Sequence, residues 1–310
     1  MADTGPLRIG TRGSPLALVQ AKEVQQRLAA AHPDLPPAEI AVIRTTGDRV
    51  QDRKLEEIGG KGLFTKEIEE ALLLRDIDLA VHSMKDMPTL LPPGLIIGCL
   101  LPREDPRDVL FSPHAASLAA LPKGARVGTS ALRRQAQILA LRPDLQVQLF
   151  RGNVGTRLAK LAAGEVDATL LALAGLKRLG LADKATAILA TEEMLPAVAQ
   201  GAIGVEVRAD DDRIAALLAP LNDTPTAESV TAERACLEML DGSCRTPIAA
   251  LAEHEPGGVL HLRALIALPD GREMHRAEQR GPRTQAMDLG RAVGEALRAA
   301  AGPAFSVIWK

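Results

Sequence analysis

Arginine side chains recur where the predicted strands of this 310-residue chain end and its helices begin. Arg133 and Arg134 fall in the first turn of a predicted helix. The strand 125–128 precedes that helix, and Thr129 and Ser130 in between are good N-cap residues. The start of a helix carries the positive half of its dipole, which disfavours cations. A bound anion explains this placement, because free backbone N–H groups and arginines attract it together; the alternative is a solvated helix face.

Other arginines occupy the same kind of position, and their number indicates a shared anionic partner. Arg12 closes the first predicted strand, Arg151 follows a later strand, and Arg157 lies about one turn into the next helix. Like charges gathered in this way repel one another and need an anion between them. Because the planar guanidinium fork matches a carboxylate or a phosphate, the pattern predicts a cleft for an extended polyanion.

A single acidic residue follows the predicted buried strand 77–83, in the stretch VHSMKDMP. Asp86 stands next to Lys85, and the two residues can form an exposed ion pair that contributes little. In a cleft lined with arginines, however, a carboxylate is suited to stabilise a developing cation or to transfer a proton. Both interpretations of Asp86 stay open from these residues alone.

The three cysteines differ in their surroundings. Cys99 lies in an apolar strand and Cys236 on a helix, which is typical of small buried hydrophobic residues. Cys244 lies instead in the loop LDGSCRTPI, where Arg245 favours its thiolate. A nucleophilic thiol without a nearby histidine motif favours covalent attachment of a group over hydrolysis.

The composition argues against several function classes. Aromatic residues make up 2% of the chain and its net charge is −2, which disfavours single-stranded nucleic acid and any long-range basic field for DNA, RNA or anionic lipid. The sequence shows no Walker or GxGxxG motif, metal-ligand spacing, signal peptide or apolar run of membrane length. We therefore expect a cytoplasmic protein with no metal, no nucleic-acid partner and no membrane partner.

The elements that position these residues alternate along most of the chain. Strands separated by helices predict an α/β protein with two domains, each a doubly wound parallel sheet with helices on both faces. Ligands of such sheets bind at the carboxyl ends of the strands. The stretch 196–208 is predicted as one strand, and the charged segment 103–110 as a boundary. From about 223, a helix, three strands and a final helix predict a small α+β domain with an antiparallel three-stranded sheet.

The chain resembles the porphobilinogen deaminase (hydroxymethylbilane synthase) family in a series of motifs that keep their order over nearly its full length. These motifs are IGTRGSPLAL, GGKGLFTKEIE, AVHSMKDMP, REDPRDV, VGTSALRRQ, LRPDL, RGNVGTRL, LALAGLKRLG, AVAQGAIGVE, TAERA and the GSC loop. The resemblance implies three domains: residues 1–101 with 202–221, residues 103–199, and residues 223–310. The first two resemble the lobes of periplasmic binding proteins, and the third is the α+β domain that carries the cysteine.

The resemblance also implies a reaction. A dipyrromethane cofactor is joined to Cys244 by a thioether, four units of the substrate porphobilinogen are condensed head to tail with loss of ammonia, and hydrolysis releases the linear tetrapyrrole hydroxymethylbilane. Each unit carries an acetate and a propionate, so the growing chain is the polyanion that the arginines predict. The family relationship further implies a monomer. A two-lobed anion-binding protein without activity is the alternative, but it gives no reason for Asp86 or Cys244.

Site residues are implied motif by motif, with Asp86 as the catalytic residue. The expected cofactor contacts, besides Cys244, are Ser83, Lys85, Asp86, Thr129, Ser130, Arg133, Arg134, Arg151, Gly152 and Arg157. The expected substrate contacts are Arg12, Ser14, Arg151, Arg157, Arg178 and Gln200, and a mobile loop over the cleft carries Lys61 and Phe64. The chain departs from the common family pattern at Glu57, Ser243 and Arg245.

Overall fold

The computed structural model describes residues 5–49, 64–240, 246–302 and 305. The strands in these ranges are β1 Arg8–Arg12, β2 Glu39–Ile43, β3 Leu79–Ser83, β4 Leu95–Leu100, β5 Asp108–Phe111, β6 Arg126–Gly128, β7 Gln146–Gln148, β8 Ala168–Ala172, β9 Ala187–Ile188, β10 Ile203–Arg208, β11 Ile248–Glu255, β12 Val259–Ala267 and β13 Met274–Pro282. The α-helices are α1 Pro15–Ala31, α2 Thr46–Arg49, α3 Lys66–Leu73, α4 Leu132–Leu141, α5 Val154–Ala162, α6 Leu173–Arg178, α7 Asp212–Leu218, α8 Thr224–Met239 and α9 Ala286–Ala301. Within the described ranges, no helix combines the length and the apolar character needed to cross a bilayer.

The chain forms two compact units, of which the first comprises Met1–Arg103 and Ala202–Ala227. Its five-stranded sheet has the order β2-β1-β3-β10-β4. Helices α1 and α7 pack on one face of this sheet around Val81, and α3 covers the other face with Ile68 and Leu72. Because apolar side chains are buried on both faces, this sheet is doubly wound.

Helix α1 begins directly after β1 and fixes the turn at the carboxyl end of that strand. Ser14 is its N-cap, because Ser14 Oγ accepts a hydrogen bond of 3.3 Å from the backbone N–H of Ala17. Pro15 occupies the first turn, where its missing N–H costs nothing. Val24 and Leu28, on the apolar stripe of α1, are buried against the sheet. Capping and core packing thus anchor the turn that carries Ser14.

The second unit comprises Glu104–Gly201 and Glu228–Lys310. It contains a five-stranded sheet with the order β7-β6-β8-β5-β9. Helix α4 packs on one face of this sheet through Ile138, and α5 and α6 pack on the other. A three-stranded antiparallel sheet, β11-β12-β13, is covered by α9. Helices α9 and α8 approach closely, since Gly290 leaves no room for a Cβ beside the carbonyl group of Ala232.

The predicted α/β architecture and the antiparallel three-stranded sheet are confirmed, but the prediction of parallel sheets was wrong. Strand β10 runs antiparallel to β3 and β4, and β5 runs antiparallel to β8 and β9. Both larger sheets are therefore mixed. Strands β10 and β5 each follow a passage of the chain from one unit to the other, so no crossover helix within the sheet sets their direction.

Two local predictions also differ from the structure. The predicted strand 196–208 begins only at Ile203, because Ala199 and Gly201 have positive φ angles of 56° and 92° that interrupt an extended backbone. The segment 103–110, which we took as a boundary, contains the start of the buried strand β5. The division of the chain into three domains stays a prediction.

Candidate functional site

A hollow of about 60 Å³ lies in the first unit and contains residues that follow β1 and β3. We call it the Asp86 hollow. The sequence-predicted residues in its lining are Arg12, Ser14, Phe64, Ser83 and Asp86. Among the lining residues that the structure describes, Asp86 is the only carboxylate and Arg12 the only arginine. The fold therefore brings together side chains from three separate sequence motifs.

The turn after β3 presents Asp86 to solvent. Ser83 closes the strand, and Met84–Asp86 form one 3-10 turn. Met84 and Met87 are buried, whereas Asp86 is exposed. The two methionine side chains hold the turn in the core, and the carboxylate between them stays accessible to a ligand.

Neighbouring side chains restrain two of the predicted contacts. The guanidinium carbon of Arg12 lies 4.2 Å from the centre of the Phe64 ring, which is a cation–π contact. The Gln20 side-chain amide donates a hydrogen bond of 2.8 Å to Ser83 Oγ. Gln20 was not predicted as a site residue. Both contacts restrict side-chain rotamers, so the hollow is partly preorganised for a ligand.

Behind the hollow lies a buried ionisable cluster that the motifs did not reveal, formed by His82, Glu206 and Glu69. His82 Nε2 and Glu206 Oε2 are 2.9 Å apart, and His82 also lines the hollow. Burial raises the pKa of Glu69, and the charge of Glu206 raises it further. The sequence shows only that His82 and Glu206 each interrupt an otherwise apolar strand, and not that the two side chains meet.

In the second unit, Arg133 and Arg134 share one buried carboxylate. Asp108 is 0% exposed and accepts hydrogen bonds from Arg133 Nη1 at 2.7 Å and from Arg134 Nη2 at 2.8 Å. The Gln200 amide donates a third hydrogen bond of 2.8 Å. Burial by itself raises the pKa of Asp108, but the two guanidinium charges outweigh it and lower this pKa below 3.8.

The arginine pair at the start of α4 therefore has an anionic partner that belongs to the protein itself. Arg133 and Arg134 are each 5% exposed, and Asp108 neutralises only one of their two charges. In the part of the chain that the structure describes, Arg134 Nε has no hydrogen-bond partner. The cluster therefore keeps a net positive charge and, within the described residues, one N–H donor without an acceptor. The expected contact of the pair with a ligand stays a prediction, and Asp108 was missed because we took its segment as a boundary.

The remaining predicted contacts of this unit lie in or next to helices α5 and α6. Arg157 donates to Ser130 Oγ at 3.3 Å and to the carbonyl oxygen of Gly152 at 2.8 Å. Gly152 has a φ of 128°, which favours glycine at this turn. Arg178 donates to the carbonyl oxygen of Gly201 at 2.9 Å.

The structure locates two further predicted residues, and several other residues singled out in the sequence lie outside the described ranges. Thr129 is buried and its Oγ1 accepts a hydrogen bond of 3.1 Å from the backbone N–H of Ala131. Arg151 is half-buried. The residues that lie outside the described ranges are Glu57, Lys61, Ser243, Cys244 and Arg245.

Family models match most of the chain. The model for porphobilinogen deaminase, dipyromethane cofactor binding domain, matches residues 7–216. The model for porphobilinogen deaminase, C-terminal domain, matches residues 227–299. Porphobilinogen deaminase of Nitrobacter winogradskyi is 57% identical over 97% of this chain and 95% of its own length. Porphobilinogen deaminase of Paracoccus denitrificans is 58% identical over 97% of this chain and 96% of its own length. The chloroplastic porphobilinogen deaminase of Oryza sativa subsp. japonica is 54% identical over 96% of this chain and 85% of its own length.

Solved structures resemble the chain more distantly. A putative methionine-binding lipoprotein from Bacillus subtilis matches 71% of this chain and 92% of its own, with 14% identity and a TM-score of 0.43. The periplasmic aliphatic sulphonate binding protein SsuA from Escherichia coli matches 75% and 70%, with 16% identity and a TM-score of 0.41. These low TM-scores leave the assignment to the sequence matches.

The sequence matches place this α/β protein among the transferases of tetrapyrrole biosynthesis that carry a dipyrromethane cofactor. The resemblance seen in the motifs is thereby confirmed, together with the expected enzyme class and cofactor. The chain belongs to the porphobilinogen deaminase family.

Proposed function

We propose that this chain condenses porphobilinogen into hydroxymethylbilane with Asp86 as its catalytic residue. The composition of the Asp86 hollow carries the proposal, because its lining offers one carboxylate, Asp86, and one arginine, Arg12. Porphobilinogen carries two acidic side chains and an aminomethyl group on a pyrrole ring. It therefore needs a cation for its acids and an anion for the positive charge that develops as ammonia leaves.

The second unit fits a dipyrromethane, which carries several carboxylates. Arg133 and Arg134 keep one net positive charge after pairing with Asp108, and Arg134 Nε lacks a partner within the described residues. Arg157, restrained by Ser130, supplies a further guanidinium group. These guanidinium groups carry the charge that pairs with acidic side chains.

Cys244 is the proposed attachment point, through a thioether to its Sγ. When bound, the cofactor supplies the pyrrole carbon that the first substrate unit joins. The other residues proposed to bind the cofactor or the substrate, as the family relationship implies, are Ser83, Lys85, Thr129, Arg151, Gly152, Arg178 and Gln200.

In the Asp86 hollow, each side chain has a distinct task. Arg12 binds an acidic side chain of the substrate, and Phe64 against it reduces the hydration of the guanidinium group. The Ser14 hydroxyl already accepts the cap hydrogen bond and can still donate its proton. The carboxylate of Asp86 accepts a pyrrole N–H, orients the ring and stabilises positive charge on it.

Asp86→Asn tests this assignment, because it keeps size and hydrogen bonding but removes the charge. We expect kcat to fall by about 10²–10⁴-fold, with an unchanged far-UV circular dichroism spectrum. Asp76→Asn, a substitution of an exposed aspartate in the same unit, is the matched control and keeps wild-type turnover. Near-normal turnover of Asp86→Asn would refute the proposed role.

The intact mass of the purified protein tests the cofactor attachment. We expect a mass above that of the sequence by two condensed porphobilinogen units, lost in Cys244→Ala and kept in the control Cys99→Ala. A bare sequence mass for the wild type would favour the anion-binding alternative instead.

We further propose that the protein works as a monomer in the cytoplasm, as the family relationship implies. Multi-angle light scattering should give the mass of a single chain, and cell fractionation should recover the activity with the cytoplasmic enzymes. A dimer mass or membrane-bound activity would contradict this proposal.

A further inference from the structure

The buried cluster behind the Asp86 hollow has no task in the chemistry described so far. His82 lies on β3 and Glu206 on β10, and the strand register pairs His82 with Gly204 and Ala80 with Glu206. Side chains at these positions share one face of the sheet. Helix α3 covers that face and contributes Glu69, which is buried.

The cluster is incompletely satisfied. His82, Glu206 and Glu69 are all buried, yet Oε1 of Glu206 and Oε1 of Glu69 have no hydrogen-bond partner in the described part of the chain. Buried ionisable groups with unmade hydrogen bonds destabilise a fold. Since apolar residues of similar volume often replace such groups without loss of stability, a functional task is the better explanation for this cluster.

Other charged groups near the cluster have their own partners or face away from it. Arg208, next to Glu206 on the same face of β10, lies 2.6 Å from Asp211 and donates to backbone carbonyl groups. Glu70 is the neighbour of Glu69 on α3 and has Lys66 at 3.9 Å. Arg12 and Asp86 line the hollow itself. Glu206 is therefore the direct ionic partner of His82.

Glu69 stays protonated over a wider pH range than an ordinary glutamate. Burial raises its pKa above 4.5, and the charge of Glu206 adds to this effect. Glu206 Oε2 lies 2.9 Å from His82 Nε2 and is the carboxylate oxygen placed to stabilise the protonated imidazole.

Glu206 fixes the tautomer of His82. An ionised carboxylate only accepts hydrogen bonds, so with Glu206 ionised the proton of the neutral ring lies on Nε2 of His82, 2.9 Å from Glu206 Oε2. Nδ1 has no hydrogen-bond partner among the described residues. His82 lines the hollow together with Ser83 and Asp86. The basic nitrogen of a buried imidazole is thus left for a group bound in the hollow.

We propose that His82 Nδ1 accepts the proton that each ring addition releases, while Glu206 orients and stabilises the imidazolium. This inference rests on the proposed placement of the reaction in the Asp86 hollow. In each addition the C–N bond of the protonated aminomethyl group breaks, and its electron pair leaves with ammonia. A C–C bond forms, and a ring C–H bond breaks as its electron pair returns to the ring. The proton passes to Nδ1 and then to the ammonia, which departs as ammonium, so the neutral imidazole is restored.

A spectroscopic test needs no turnover. In wild-type protein labelled with ¹⁵N-histidine, the His82 signals are assigned by their loss in His82→Gln and followed over a pH titration. We expect the neutral ring to carry its proton on Nε2 and to gain the second proton on Nδ1, and Glu206→Gln to weaken the preference for Nε2. A neutral ring protonated on Nδ1 would overturn the proposal.

A kinetic test uses the same substitution, because glutamine can hydrogen-bond to Glu206 but carries no titrating proton. For His82→Gln we expect kcat to fall by about 10²–10⁴-fold and KM to change little. His32→Gln is the control, since His32 lies in the same unit and contacts the carbonyl oxygen of Leu217.

The two proposals can fail separately. If His82→Gln keeps kcat within threefold of wild type while Asp86→Asn is inactive, the role of His82 is refuted and the proposed function stands. If both variants stay active, the reaction is not placed in the Asp86 hollow and both proposals are refuted.

Discussion

The stability of the second unit should depend strongly on the shared carboxylate of Asp108. Asp108→Asn removes the one negative charge that faces Arg133 and Arg134, all three side chains being buried. Removing one partner of a buried ion pair costs about 3–5 kcal/mol, because the other charge stays buried without compensation. Here one substitution leaves two guanidinium groups uncompensated, so we expect a loss of unfolding free energy at the upper end of that range.

Arg134→Met is the informative comparison. It leaves Asp108 paired with Arg133 and hydrogen-bonded to Gln200, which is a neutral cluster. The expected cost is then that of unmade buried hydrogen bonds, about 1–3 kcal/mol. Asp108→Asn should therefore lower the unfolding free energy more than Arg134→Met, because the cluster holds two cations and one anion. This order does not depend on the absolute size of either loss.

Urea denaturation followed by circular dichroism measures both effects. The control is Glu165→Gln, which removes a surface carboxylate 4.0 Å from Lys160 and should cost about 0–1 kcal/mol. Because the pKa of Asp108 is lowered below 3.8, its contribution is present above that pH and is lost as the pH falls through the lowered value. The gap between wild type and Asp108→Asn should therefore stay constant from about pH 5 to 8 and narrow only in strong acid. A loss below about 1 kcal/mol, or a larger loss for Arg134→Met, would refute this electrostatic account.

Two further predictions concern packing. Gly271 has a φ of 71°, and a Cβ there would stand 2.5 Å from the carbonyl oxygen of Ala136 in α4. Gly257 has a similar φ of 81° but open space around it, so Gly271→Ala should lower the unfolding free energy by about 1–3 kcal/mol more than Gly257→Ala. Equal losses would show that the turn at Gly271 does not pack on α4. Burial raises the pKa of the Cys99 and Cys236 thiols to about 12, so neither thiol should react with a disulfide reagent at mildly alkaline pH until urea unfolds the protein. Reaction of either thiol in the folded protein would contradict its burial.

Local signals in the sequence were sufficient for much of the fold. The start of helix α1 depends on local signals, because Ser14 caps it and Pro15 suits its first turn. Cys99 and Cys236 are buried as expected, since each lies on an apolar face of its element. The family could be recognised for a related reason: its motifs are short, contiguous and keep their order, so they can be read without knowing which of them meet in space.

The two buried polar clusters could not be read in this way. Asp108 lies far along the chain from Arg133 and Arg134 and meets them only because β5 inserts into the second sheet next to β8. His82 meets Glu206 only because β10 returns from the other unit to pair with β3 in antiparallel register. The sequence shows which residues can carry a charge, but the energy of a buried charge depends on its distance from the group of opposite charge. That distance is set by strand pairing between segments remote in sequence, for which neither periodicity nor a local motif carries a signal.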